Sequence, residues 1–185
     1  MEVLTAANQL TLLRLLLVPV FAICMFYGMP GWALLTFAVA GATDALDGLI
    51  ARRTSPTTLG AWLDPMADKL LLTTMFVMLT VPGPVVRLPL WLTVVVISRD
   101  LAIVLTVAVV NLAVARRTYR PSLLGKATTV IYVATGVAAL YANYVGRPLL
   151  IVDVCVYVAL ALTLASAFEY LTRVTRSDPQ RPSSS

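Results

Sequence analysis

Histidine is missing from all 185 residues, so neither an imidazole metal ligand nor an imidazole general base is available. Cysteine is nearly missing. Cys24 and Cys155 are the only two, and both lie inside apolar runs. Two such thiols make no disulfide framework and no thiolate cluster; they read as small apolar side chains within spans. Charge is scarce as well, at 12% of residues against 59% apolar, which excludes disorder and speaks against an ordinary water-soluble domain. No internal repeat is visible, and the length leaves no room for a second domain.

What the chain does contain is apolar runs of about 20 residues, the length of a bilayer-spanning helix. They run from about Thr11 to Tyr27, Trp32 to Ala51, Leu59 to Val81, Leu88 to Ala113, Leu123 to Val145 and Leu149 to Leu171. Gly28-Met-Pro-Gly31, Pro82-Gly-Pro84 and Arg147-Pro148 mark turns between them. The first run leads directly into further spans and ends in no small-x-small site, so it is not read as a cleaved leader. The expected fold class is all-α: an integral membrane bundle of six transmembrane helices over residues 1–172, followed by a basic, disordered tail over 173–185. Pro19 is expected to kink the first span and Pro65 to bend the third.

Basic residues orient the bundle. With the 52–58 loop, the 114–122 loop and the tail on one side, that side holds Arg52, Arg53, Arg116, Arg117, Arg120, Arg173, Arg176 and Arg181, with Lys126 at its edge. The other side holds Arg87 and Arg147. The positive-inside rule then places both termini in the cytosol.

Asp44, Asp47, Asp64 and Asp68 interrupt this apolar background at the cytosolic ends of the second and third spans. Spacings of three and four place each pair on one helix face. Clustered carboxylates raise one another's pKa and need cations. Adjacent lysines and arginines are too few to pair all four, which disfavours a purely structural ion network. An all-oxygen ligand set fits Mg²⁺, Mn²⁺ or Ca²⁺. Two such ions suit displacement at a phosphoryl or diphosphate group. One aspartate, left free or loosely bound, suits proton removal from an attacking hydroxyl. Gly41, Ala42, Ala45, Gly48 and Ala51 leave room around the second-span pair.

Other charges carry two readings each. Arg14, one turn inside the first span, is either a snorkelling side chain or a phosphate contact. Arg99 and Asp100 lie near the middle of the fourth span, where each charge costs about 2.5–3.5 kcal/mol on insertion scales. About 100° apart on a helix, they need not pair with each other and could face the aspartates. The alternative is a structural ion pair with another span, a stronger competitor for Asp100 than for Arg99. Asp153 and Glu169 read as interfacial.

The series Asp44-x-x-Asp47-Gly48-x-x-Ala51-Arg52, followed by Gly60-x-x-x-Asp64-x-x-x-Asp68, resembles the signature of the CDP-alcohol phosphatidyltransferases. Eight typed positions in fixed order make the likeness specific. One departure is the seven residues between Arg52 and Gly60, where the family usually has eight; it touches the loop, not the two helical halves. The resemblance implies a six-span enzyme, often a homodimer, whose site faces the cytosol. Asp44, Asp47, Asp64 and Asp68 would bind two Mg²⁺ or Mn²⁺ ions, with Asp68 as general base. Gly48, Ala51, Arg52 and Gly60 would line the CDP pocket. The acceptor hydroxyl would attack the β-phosphorus of CDP-diacylglycerol, and CMP would leave. The expected location is a cytoplasmic membrane of bacterial type.

Asn8-Gln-Leu-Thr11-Leu-Leu-Arg14, Leu63-Asp-Pro-Met-Ala-Asp-Lys69 and Pro121-Ser122-Leu-Leu-Gly125-Lys126-x-Thr128-Thr129 are similar to the branch that makes phosphatidylglycerol phosphate or cardiolipin. Arg99-Asp100 leans toward the cardiolipin type, since the glycerol-phosphate enzyme typically has Arg-Glu there. An acceptor bearing a phosphate monoester needs extra cations, which Arg99, Lys126, Arg116, Arg117, Arg120 and Arg14 would supply; the 116–120 loop reads equally as a topogenic or lipid-head-group patch. The expected acceptor is sn-glycerol 3-phosphate, with phosphatidylglycerol second. Rival classes are an intramembrane prenyltransferase and a cation transporter. The first usually has more spans and another aspartate spacing, and the second calls for acids near mid-membrane and related halves. Nucleic-acid binding is not expected, because the basic residues border spans.

Overall fold

The computed structural model describes residues 6–50, 60–113 and 123–176, with side chains over 9–43, 66–105 and 123–169. Six α-helices account for almost all of it: α1 Ala6–Phe26, α2 Pro30–Ile50, α3 Gly60–Thr80, α4 Leu90–Ala113, α5 Leu123–Val145 and α6 Leu150–Arg176. No strand occurs among the described residues. Each helix falls within a few residues of an apolar run read from the sequence. The two largest differences are equal: α1 begins at Ala6, ahead of Thr11, and α6 continues through Arg176, past Leu171. α1 continues across Pro19.

Two helix ends show why the turns lie where they do. After α1, Met29 N–H donates to Cys24 O at 2.8 Å and Gly28 N–H to Met25 O at 3.1 Å. After α5, Arg147 N–H donates to Ala142 O at 3.2 Å and Gly146 N–H to Asn143 O at 3.2 Å. Both are paired six-to-one and five-to-two closures that need a left-handed residue at the turn. Gly28 at φ 68° and Gly146 at φ 74° supply it without a Cβ penalty. Between α3 and α4, Leu88 N–H donates to Leu79 O at 2.9 Å and closes the turn around Pro82-Gly-Pro84. Asn143 pins that connection from α5. Its amide nitrogen donates to Val86 O at 2.8 Å, and its carbonyl oxygen accepts Val86 N–H at 2.9 Å.

The helices reverse at each connection. The N-terminal ends of α1, α3 and α5 therefore share one end of the bundle with the C-terminal ends of α2, α4 and α6. α1 and α5 each pack against both α2 and α3, α5 also packs on α6, and α4 packs on α3 and α6. The core contains Phe21, Phe37, Met75, Phe76, Leu79, Leu92, Tyr132 and Leu140. Phe76 meets Tyr132 edge-on at 5.8 Å between ring centroids. Small side chains let backbones approach: Ala33, Ala40, Ala67, Ala139 and Ala159 are fully buried. At Gly136 an added Cβ would run into the Met75 thioether, so α5 approaches α3 over a glycine.

The outer surface is apolar. Leu16, Leu35, Val94, Val130, Leu150, Tyr157 and Leu164 are all exposed. Continuous apolar surface of this kind suits hydrocarbon, not water. Three helices are long and apolar enough to cross a membrane among the described residues: Gln9–Phe26, Leu123–Val145 and Leu150–Glu169. Pro30–Thr43 is a shorter apolar segment. In α2, α3 and α4 the run is interrupted by Asp44 and Asp47, by Asp64, Asp68 and Lys69, and by Arg99 and Asp100 respectively.

Candidate functional site

Asp44 and Asp47 lie in the last two turns of α2, and Asp64 and Asp68 in the first three turns of α3. Chain reversal puts these two segments at the same end of the bundle, on helices that α1 and α5 both contact. The side chains of Asp44, Asp47 and Asp64 lie outside the described ones, as does Gly48 beyond its backbone. Ala51, Arg52, Arg116, Arg117 and Arg120 lie outside the described residues altogether. Gly60 opens α3.

Asp68 is described in full. Its side chain is 57% exposed, and its Oδ1 accepts a hydrogen bond from Arg14 Nη1 at 3.5 Å. Arg14 itself is fully buried. That corrects the snorkelling reading of Arg14. A snorkelling guanidinium reaches water, whereas this one turns inward, because α1 packs on both α2 and α3 and meets a carboxylate there. The carboxylate remains largely accessible, so a further cation could approach it. Four aspartates from α2 and α3 at this end would make an oxygen-only donor set suited to a hard divalent ion, with Asp68 the one whose side chain is described.

The fourth-span charges are partnered, and first of all with each other: Arg99 Nη1 stands 3.3 Å from Asp100 Oδ1. The bland alternative holds for Asp100, which also meets Lys69 Nζ of α3 at 3.7 Å. Lys69 donates to the Asp100 backbone oxygen at 3.3 Å as well. Arg99 Nη2 donates to Gly125 O at the start of α5, at 3.2 Å. The guanidinium carbon also stands 5.7 Å from the centre of the Tyr132 ring. Lys126 is exposed one residue beyond Gly125. Lys69 and Tyr132 carried no functional assignment in the sequence. A signal for Lys69 was present: a lysine in one interrupted span and an aspartate in another are complementary charges that lipid forces together. A signal for Tyr132 existed only in its spacing from Gly125, seven residues and hence the same helix face.

Away from this end, Cys24 is half-buried and Cys155 buried, both free thiols, as apolar-span cysteines should be. An apolar groove of about 600 Å³, lined by Gly31, Trp32, Leu34, Leu35, Ala38 and Tyr144, opens at the opposite end from the aspartates. Among the described residues, no carboxylate or cationic side chain lines it.

Comparison with known proteins agrees with the residue pattern. The family model for CDP-alcohol phosphatidyltransferase matches residues 4–165. A probable phosphatidylglycerophosphate synthase from Mycobacterium tuberculosis is 37% identical over 180 residues, covering 92% of this chain and 81% of that one. A CMP-forming cardiolipin synthase from Streptomyces coelicolor is 39% identical over 140 residues, covering 69% and 61%. A CDP-diacylglycerol–glycerol-3-phosphate 3-phosphatidyltransferase from Pseudomonas fluorescens is 41% identical over 104 residues, covering 52% and 51%. With the family model spanning most of its length, and all four signature aspartates inside that span, this chain belongs to the CDP-alcohol phosphatidyltransferase family.

Proposed function

We propose that this membrane protein transfers a phosphatidyl group from CDP-diacylglycerol to the hydroxyl of a glycerol-type acceptor and releases CMP. sn-Glycerol 3-phosphate is the first choice of acceptor and phosphatidylglycerol the second. The observation that carries the reading is the family match over residues 4–165, with the complete aspartate series placed on α2 and α3 at one end of the bundle. Relatives named for both products match the chain, one named for phosphatidylglycerophosphate over 92% of it and one named for cardiolipin over 90%.

In this reading Asp44, Asp47, Asp64 and Asp68 hold two divalent cations, Mg²⁺ or Mn²⁺. Such ions, when bound, would supply charge neutralisation on the diphosphate and on the departing CMP. The chain's own groups do the rest. Asp68 removes the proton from the acceptor hydroxyl, and the hydroxyl oxygen forms a bond to the β-phosphorus while the bond from that phosphorus to the CMP oxygen breaks. Arg14 holds Asp68 from the buried side. Gly48, Ala51, Arg52 and Gly60 receive the CDP moiety, with glycine allowing close approach. Lys126, at the exposed start of α5, receives the acceptor's phosphate, with Arg116, Arg117 and Arg120 near it in sequence.

The same proposal includes six spans, both termini in the cytosol, a site open to the cytosolic side of a bacterial cytoplasmic membrane, and a homodimer. Support for the orientation is the excess of arginine on the 52–58 and 114–122 connections over Arg87 and Arg147 opposite. The test is CMP release by detergent-solubilised protein given CDP-diacylglycerol and Mg²⁺, with glycerol 3-phosphate, phosphatidylglycerol, inositol phosphate or serine added singly. Release with glycerol 3-phosphate alone is the expected result. Release with phosphatidylglycerol alone moves the chain to the cardiolipin branch. Silence with every acceptor, together with turnover of isoprenyl diphosphates, replaces the reading by a prenyltransferase.

A further inference from the structure

Three charged side chains connect the residue after Asp68 to the residue before Lys126. Lys69 follows Asp68 on α3 and meets Asp100 on α4, through both its carboxylate at 3.7 Å and its backbone oxygen at 3.3 Å. Asp100 meets Arg99 at 3.3 Å. Arg99 ends on the carbonyl of Gly125, at 3.2 Å, one residue before Lys126.

The chain is also fastened sideways. The Arg99 guanidinium faces the Tyr132 ring, and Tyr132, fully buried, shares a 2.6 Å hydrogen bond with Thr163 of α6. Exposure falls steadily along it, from 38% at the Lys69 side chain to 19% at Asp100 and 13% at Arg99. Arg99 thus uses one nitrogen on Asp100, another on Gly125 and its ring-facing surface on Tyr132. At 13% exposure, little of its surface faces an incoming phosphate. Lys126, by contrast, is exposed.

We propose that Lys69, Asp100 and Arg99 form a brace that fixes the start of α5, and with it Lys126, relative to the aspartates of α3. Arg99 then acts on the acceptor through α5, as a positioning residue, and does not touch it. The inference rests on the proposed function in one respect only, that Lys126 receives the acceptor. Geometry supports a brace over a simple ion pair. Gly125 and Tyr132 are seven residues apart and share a face of α5, so a single planar guanidinium can hold a backbone oxygen and a ring there together.

Two measurements test it. The first is a distance, independent of turnover. Spin labels at Leu70 on α3 and Leu123 on α5, both exposed, are placed in a chain whose Cys24 and Cys155 are replaced by alanine. Asp100→Asn and Arg99→Gln should each shift or broaden the distance distribution, Lys126→Gln should leave it unchanged, and Asp100→Glu should restore it. If Asp100→Asn or Arg99→Gln fails to fold by circular dichroism and size exclusion, Lys69→Gln breaks the brace at its most exposed member and reads the same distance. An unchanged distribution in the folded variants overturns the brace.

The second is kinetic. Asp100→Asn and Arg99→Gln should each raise the acceptor KM about tenfold with little change in the CDP-diacylglycerol KM, and the double variant should match the larger single one, as members of one network do. Multiplicative effects, with Arg99→Gln the larger, would make Arg99 a direct acceptor contact and overturn its positioning role. A wild-type protein that releases no CMP with any of the acceptors defeats the proposed function, while the distance measurement still decides whether the brace exists.

Discussion

Arg14 shows how far a single residue departs from what its sequence position allows. An arginine one turn inside a span has two cheap solutions, reaching out to water or turning in to a carboxylate. Hydropathy does not separate them. The choice is made 54 residues away, where α3 brings Asp68 within 3.5 Å of a fully buried guanidinium. Arg14 is fully buried and Asp68 more than half exposed, so desolvation of the guanidinium offsets much of what the pair gains, and Asp68 can be rehydrated when its partner is lost. The pair's larger effect is on where the Asp68 carboxylate points. Arg14→Met, which keeps the buried volume and removes the charge, should therefore leave the thermal midpoint nearly unchanged and lower kcat on the order of tenfold, roughly 1.4 kcal/mol of activation free energy. Thermal unfolding and initial rates measured on the same preparation check this. Full kcat in a folded variant would remove Arg14 from the site. The four aspartates stand at the opposite extreme. Their spacing of three and four, against an apolar background, made them legible at once. Lys69 and Arg99 did not become legible in the same way, because the partners that define them lie on other helices.

At the level of the helices, the ends were the easiest feature to read. Gly28 and Gly146 each occupy a left-handed turn position, and both connections fell where glycine and proline placed them. Apolar length located all six helices, yet it did not say which would pack together. That depends on local shape, and Gly136 is the clearest case. An added Cβ there meets the end of the Met75 side chain, which is fully buried between α3 and α5. Overpacking a well-filled core costs about 1–3 kcal/mol, so Gly136→Ala should lower stability by an amount in that range. A second change, Met75→Val, should recover part of the loss by making room. Thermal or denaturant unfolding of the single and double variants measures both effects. If Gly136→Ala alone costs nothing, α3 and α5 are not held at this approach. Tyr132 illustrates the same limit from the other side. Its hydrogen bond to Thr163 and its contact with Arg99 depend on α4, α5 and α6 arriving together. No short stretch of sequence contains that information.

For the whole molecule, the reaction needs the aspartate end of the bundle to face the compartment that supplies acceptor and receives CMP. The proposed orientation can be read directly by labelling single cysteines, in the chain without Cys24 and Cys155, with a membrane-impermeant maleimide. A cysteine at Val85, exposed on the connection between α3 and α4, should react in intact cells, and one at Ser55 only after permeabilisation. The reverse pattern would put the site outside. Within that frame the division of labour is simple. α2 and α3 carry the carboxylates, α1 backs Asp68 with Arg14, and α4 ties α3 to the start of α5 beside Lys126. Family membership came from residues in fixed order. The proposed acceptor contacts are a few cations whose positions depend on packing, so the acceptor was the harder part to read. The most direct test of the account is acceptor-dependent CMP release from CDP-diacylglycerol in Mg²⁺, comparing the wild-type chain with Asp64→Asn. The wild type should release CMP and stop reversibly on EDTA, and Asp64→Asn should release none while keeping its helical content and monodispersity. Full CMP release by Asp64→Asn, or release by the wild type that survives EDTA, would contradict a carboxylate-bound metal site on α2 and α3.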